Sequence, residues 1–157
     1  TWHLVFEKVF QGRLFGQVWP AGQLLAEAMA TRAIEGKRIL ELGCGLGLAS
    51  LVLRRRGADV VASDYHPLAE VFLAYNAALN ALKSVPYRRL DWDAGAQNMG
   101  QFDMIIASDV LYETRHASML AKLIPELAKP SCEIVISDPG RGNANALRAC
   151  WPTSASR

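Results

Sequence analysis

The stretch Ile39-Leu40-Glu41-Leu42-Gly43-Cys44-Gly45-Leu46-Gly47 constrains this chain most. A short apolar run ends at an acid, and glycines follow at every second position. Glycine turns of this kind join a strand to a helix where an α/β fold receives a nucleotide-like cofactor. The spacing also argues against one cofactor class, the dinucleotides of an NAD oxidoreductase. Dinucleotide sites use G-x-G-x-x-G, and the position of the last glycine is Leu48 here. What remains is a loop whose backbone can approach a ligand closely.

The rest of the chain alternates strand-like and helix-like segments, which predicts an α/β fold with a mainly parallel sheet covered by helices. Its 157 residues, 51% hydrophobic, suit a single domain with a core, 1–157. Residues 1–20 differ in style and read as an arm or β-hairpin, and 21–150 as the core. A helix is expected over about 21–35, with Leu24, Leu25, Ala28 and Met29 on one face and Gly36 past its end. Strand one covers about 38–42 and a helix about 47–56. Strand two is Asp59–Ser63. A helix opening at His66-Pro67 carries the stripe Leu68, Val71, Phe72, Tyr75, Leu79 and Leu82, read as core packing. Strands follow at about 85–90, Phe102–Ala107 and Glu133–Ser137. A helix at about 115–128 holds Pro125, which should kink it or end it early. A last helical start lies around 143–150.

Composition narrows the function classes. The balance of 17 basic to 15 acidic residues gives no indication of nucleic acid. Arg54-Arg55-Arg56 reads as a solvated helix end. Cys44, Cys132 and Cys150 are odd in number and widely spaced, so neither a disulfide framework nor a metal site is indicated. No apolar run approaches the roughly 18 residues that span a membrane, and no signal-peptide pattern opens the chain. A cytoplasmic location is the expectation, and the oligomeric state is open.

Each expected strand meets an acid at its carboxyl end: Glu41, Asp64, Asp91, Asp109 and Asp138. Ligands of open parallel sheets bind at that edge, where strand order reverses. Some of these acids must cap helices instead. Asp64, 21 residues after Gly43, is placed to accept from ribose hydroxyls. Tyr65 and the pair Asp91-Trp92 are candidates for the adenine. Ser108-Asp109-Val110-Leu111-Tyr112 is the second feature of weight. Its acid and tyrosine can converge on one amine, the carboxylate by hydrogen bonds and the ring by a cation–π contact.

With these residues assembled, the chain resembles class I (seven-strand) methyltransferases that use S-adenosylmethionine (SAM). More narrowly it resembles methyltransferase family 16, which includes many protein lysine methyltransferases. The resemblance covers roughly residues 17–142. It rests on Val18-Trp19-Pro20-Ala21-Gly22, the glycine motif and Asp109-Val110-Leu111-Tyr112. It implies a Rossmann-like three-layer sandwich, of which five core strands are visible and the last two are not. It implies a cofactor site of Trp19, Glu41, Gly43, Gly45, Gly47, Asp64, Tyr65, Asp91, Trp92 and Ser108, and catalytic roles for Asp109 and Tyr112 beside the methyl acceptor. The cofactor would be SAM, with S-adenosylhomocysteine (SAH) as product. The expected activity is N-methylation of a protein lysine or another nucleophilic side chain. A small-molecule acceptor and a non-catalytic SAM- or SAH-binding module are the alternatives.

Overall fold

The computed structural model describes residues 17–140 and 143–149. The expected arm or hairpin of residues 1–20 lies outside them, apart from a short lead into the first helix. In chain order the elements are α1 (Pro20–Thr31), β1 (Arg38–Leu42), α2 (Leu48–Arg55), β2 (Asp59–Asp64), α3 (Ala69–Leu79), β3 (Tyr87–Arg89), a 3₁₀ turn (Trp92–Ala94), β4 (Phe102–Ser108), α4 (Thr114–Leu127), β5 (Ala128–Ser137) and α5 (Asn143–Ala149). The five strands form one sheet in the order β3-β2-β1-β4-β5. All four pairings are parallel. The strand order therefore reverses beside β1, and the crevice between the carboxyl ends of β1 and β4 is where such a sheet takes a ligand.

Strand alternation builds two cores. Ile39, Val60, Ala62, Met104 and Ile106 face α1, α2 and α3. Leu40, Leu42, Phe102, Ile105 and Ala107 face α4, α5 and the Trp92 segment. The result is three layers: helices, sheet, helices. Helix α2 is wedged so deeply that Ala49 to Leu53 are all buried. Arg56 just beyond it donates from Nη1 to the carbonyls of Met29 (2.6 Å) and Arg32 (2.8 Å). It thus closes the carboxyl end of α1, where exposed carbonyls favour a cation.

Expectations for four elements are corrected. Helix α1 ends at Thr31, and Gly36, at φ 69°, belongs to the turn that leads into β1. Its inner face is Ala21, Leu25, Ala26 and Met29, while Leu24 is exposed. The apolar stripe of α3 is not the buried one: Val71, Tyr75 and Leu79 are 64%, 58% and 44% exposed. The helix turns Ala69, Leu73, Asn76 and Ala77 inward. Small residues on that face let it lie close over the glycine loop. Pro125 does not stop α4, which runs to Leu127 with the proline exposed in its last turn. Strand β5 begins at Ala128, five residues earlier than Glu133. Pro130 is accommodated because β5 lies at the edge of the described sheet and its pairing with β4 shifts register between Phe102 and Met104.

Candidate active site

The glycine loop leaves β1 and enters α2 through three left-handed glycines, Gly43 (φ 64°), Gly45 (φ 53°) and Gly47 (φ 80°). Two of them differ in what a larger residue would meet. A Cβ on Gly47 would overlap the side chain of Leu73 from α3, whereas one on Gly45 would meet nothing within 4 Å among the described residues. Gly47 is thus fixed by packing, and Gly45 keeps open space beside the loop. Hydrogen bonds set the loop's path: Cys44 N–H to the Ser63 carbonyl (2.9 Å) and Gly47 N–H to the Cys44 carbonyl (2.8 Å). Asn76 of α3 adds its amide on the Leu46 carbonyl (3.3 Å).

Around the crevice these elements leave a cavity of about 720 Å³, a size suited to a small-molecule ligand. Of the residues expected at the cofactor, Trp19, Gly43, Gly45 and Asp64 line it. So do Tyr65, Asp91, Trp92 and Ser108. Asp109 and Tyr112 line it as well. Glu41 and Gly47 do not. Glu41 is 2% exposed and accepts hydrogen bonds from the Ser50 N–H (2.9 Å) and the Ser50 hydroxyl. It faces the α1–α3 side of the sheet, as Ile39 does, and tethers the first turn of α2 to β1. Burial pushes its carboxyl up from the ordinary 4.5 to about 7, and the Ser50 hydrogen bonds only partly oppose that. Burial likewise raises the Cys44 thiol.

Asp64 is held by the backbone it faces. One oxygen accepts from Gly45 N–H (2.8 Å) and the other from His66 N–H (2.8 Å). Each carboxylate oxygen has a second lone pair, so capacity for ligand hydroxyls remains. Tyr65 is exposed, with the Arg89 guanidinium 5.2 Å from its ring centroid. Asp91 caps the 3₁₀ turn, accepting from Asp93 N–H (3.0 Å), and thereby sets Trp92 at the wall.

The opposite wall follows β4. Asp109 sits at φ 53°, a strained region for a residue with a Cβ and one that recurs at functional sites. Its N–H bonds the Ser137 carbonyl of β5 (2.9 Å), and Asn143 of α5 donates to the Leu111 carbonyl (2.7 Å). These ties project Tyr112 into the cavity mouth, 50% exposed. Partial burial, with the Glu113 charge next, raises its phenol above the ordinary 10.

Several lining residues carry no sequence signal of their own: His66, Asp93, Glu113, Arg115, His116 and Met119. Glu113, Arg115 and His116 come from the turn that starts α4, and only the i, i+4 spacing of Tyr112 and His116 hints that they share a side. Among the described residues the lining carries five acids, Asp64, Asp91, Asp93, Asp109 and Glu113, against one arginine, Arg115. That balance favours a cationic ligand. Among the described residues no group of His, Cys, Asp or Glu side chains is placed to hold a metal ion.

The comparisons with known proteins agree with this fold. The pattern of the lysine methyltransferase family, methyltransferase family 16, matches residues 3–146. The electron transfer flavoprotein beta subunit lysine methyltransferase of Danio rerio is 32% identical over 127 residues, covering 78% of this chain and 48% of that protein. The calmodulin-lysine N-methyltransferase of Arabidopsis thaliana is 31% identical over 138 residues, covering 80% and 45%. The chain thus spans about half the length of these relatives. Among solved structures, a T. thermophilus 16S rRNA methyltransferase in complex with AdoMet and guanosine superposes with a TM-score of 0.69 at 25% identity, over 87% of this chain and 39% of that one. Fold, cavity and sequence pattern converge: the chain belongs to the lysine methyltransferase family.

Proposed function

We propose that this chain is the SAM-dependent catalytic domain of an N-methyltransferase that modifies a lysine side chain of a protein. The observation that carries the reading is one cavity, at the β1–β4 crevice, with the glycine loop and Asp64 at one end and Asp109 and Tyr112 at the other. The residues present fit the cofactor. Asp64 would accept from its ribose hydroxyls, and Gly45, which a Cβ would narrow, would give room for the chain beyond the ribose. Trp92 and Tyr65 would flank the adenine, and the acidic lining suits its ammonium and sulfonium charges. When bound, SAM supplies an electrophilic methyl group for direct displacement by a neutral amine.

The chain's own part is alignment, which by itself contributes several kcal/mol to such reactions, roughly 7–11 at best. Asp109 would accept a hydrogen bond from the amine and orient its lone pair. Tyr112 would wall the approach and stabilise residual positive charge through its ring face. A lysine amine is mostly protonated at neutral pH, and its proton leaves through the solvent-open mouth. That opening also supports a protein acceptor over a metabolite. Tyr112, Glu113 and Arg115 stand exposed at the rim, where a protruding lysine can enter while its parent protein stays outside.

Incubation with heavy-methyl SAM and cell lysate, followed by mass spectrometry, tests the reading. The expected result is heavy methyl on lysine in one or a few proteins. Label confined to the small-molecule fraction would replace the protein acceptor with a metabolite. SAH affinity without any labelled product would leave a binding module.

A further inference from the structure

His116 opens α4 four residues after Tyr112. It is 6% exposed, yet it lines the cavity. Its ring stands edge-on to two others. The Tyr112 centroid is 4.6 Å away at an interplanar angle of 80°, and the Trp92 centroid 5.4 Å away at 81°. Both are edge-to-face arrangements of the kind aromatic pairs favour. The polar atoms of the imidazole contribute little to holding it. Nδ1 is buried without a hydrogen-bond partner among the described residues, and Nε2 lies 3.8 Å from a Glu113 carboxylate oxygen, outside hydrogen-bond range. Ring contact is what places this side chain.

The contacts extend in both directions. Trp92 lies against the glycine loop, where a Cβ on Gly43 would come within 3.6 Å of its ring. Tyr112 is half exposed and follows the strained turn at Asp109. It therefore has few other supports. We infer that His116 is a positioning residue that braces Tyr112 against Trp92, tying the aromatic wall at the acceptor end of the cavity to the ring at the cofactor end. The two ends take their names from the proposed SAM reading, on which this inference rests. His116 acts through its neighbours and needs no contact with either substrate. Its removal loosens Tyr112 more than Trp92, because Trp92 also packs against the α4-side core.

The test uses two ligands that differ only at the transfer point. SAH reads the cofactor end. Sinefungin, a SAM analogue whose amine projects from the carbon that replaces sulfur, also reads the acceptor end. Calorimetry on the wild type, His116→Leu, His116→Phe, Tyr112→Ala and the His116→Leu/Tyr112→Ala pair gives the ratio of the two affinities. His116→Leu fills the volume without a ring, so it folds where an alanine would leave a hole. The sinefungin preference is expected to fall about fivefold in His116→Leu, to return in His116→Phe, and to fall no further when His116→Leu is added to Tyr112→Ala. In the ligand-free protein, the ¹³C-tyrosine NMR signal of Tyr112, assigned with Tyr112→Phe, should shift in His116→Leu and stay near its wild-type position in His116→Phe.

An unchanged ratio in His116→Leu, or additive losses in the pair, would overturn the brace. A His116→Phe variant as impaired as His116→Leu would do so too, by putting the ring nitrogens in control. Absence of SAH affinity in the wild type would instead sink the cofactor reading, with the Tyr112 signals still deciding the brace.

Discussion

The two walls of the cavity are built differently. Along the glycine loop the polar groups that shape the wall are tied to backbone: both oxygens of Asp64, the Asn76 amide, and Glu41 beneath. Along the β4–α4 turn an aspartate sits in left-handed backbone, a tyrosine is half exposed, and a buried histidine leaves one ring nitrogen without a partner among the described residues. The first wall is continuous with the core and inherits its rigidity. The second hangs on two backbone ties, to Ser137 and from Asn143. Damage to the first wall should therefore appear in stability or cofactor affinity. Damage to the second should appear in methyl transfer and in ligands that reach the acceptor end, with SAH affinity kept.

The glycines offer the largest test. Gly47→Ala combines a disfavoured φ with overlap on Leu73, and should cost about 3 kcal/mol in denaturant unfolding. Gly45→Ala has the same backbone difficulty but open space around it. It should cost only about 1 kcal/mol of stability while weakening SAH in calorimetry at least tenfold. Equal stability losses at the two positions would break the distinction between a packing glycine and a cavity glycine.

Next in size is Asp109→Asn, whose residue type tolerates left-handed backbone. Losing a charged hydrogen-bond acceptor should lower methyl transfer roughly 10- to 100-fold, with SAH affinity within about twofold of wild type. A parallel fall in SAH affinity would show that the second wall is not independent of the first.

Glu41 gives a smaller, pH-dependent effect. Its folded value, about 7, lies above the ordinary 4.5, so the folded state holds the proton more tightly. The stability this brings is complete below about pH 4.5 and is lost as pH rises through 7. Glu41→Gln removes the charge, and its amide can still serve Ser50. It should be more stable than wild type by about 1–2 kcal/mol near pH 8, with the gap closing toward pH 5. Thermal melts across that range check the sign. SAH affinity at low pH should match wild type, because Glu41 does not line the cavity.

The smallest effect belongs to a control outside both walls. Glu133 accepts from Arg32 (2.6 Å) and Lys37 (2.9 Å), and the Lys37 hydrogen bond is the main reason its carboxyl titrates below the ordinary 4.5. Partly exposed pairs contribute little, so Glu133→Gln should cost under about 1 kcal/mol. The cost should vanish as pH falls below the carboxylate range, where the wild-type pair is lost as well. Catalysis should be untouched.

Strands β1, β2 and β4 were legible because both of their faces are covered, leaving apolar runs punctuated by glycine and aspartate. The face of α3 was not. Two apolar stripes run along it, and the smaller one, Ala69, Leu73 and Ala77, wins because α3 must lie close to the loop. The start of β5 was hidden by Lys129-Pro130, which a strand at the edge of the described sheet accepts. At the site, most candidate residues reached the cavity because they follow strand ends, a position readable from topology, whereas Trp19 precedes α1 and was placed by the resemblance. Glu41 missed it by alternation: Leu40 and Leu42 face one layer, so Glu41 shares the other with Ile39. His116 was invisible because its role depends on where α4 begins relative to Trp92, a distance no local pattern encodes.

The contact between Gly47 and Leu73 also bears on how this lineage can drift. The two positions lie 26 residues apart, in different elements, yet they occupy one volume. A side chain at 47 displaces the end of Leu73, so it is accepted most readily where 73 has already shrunk. Across a deep set of relatives the pair should covary, with small residues at 73 accompanying loss of the glycine.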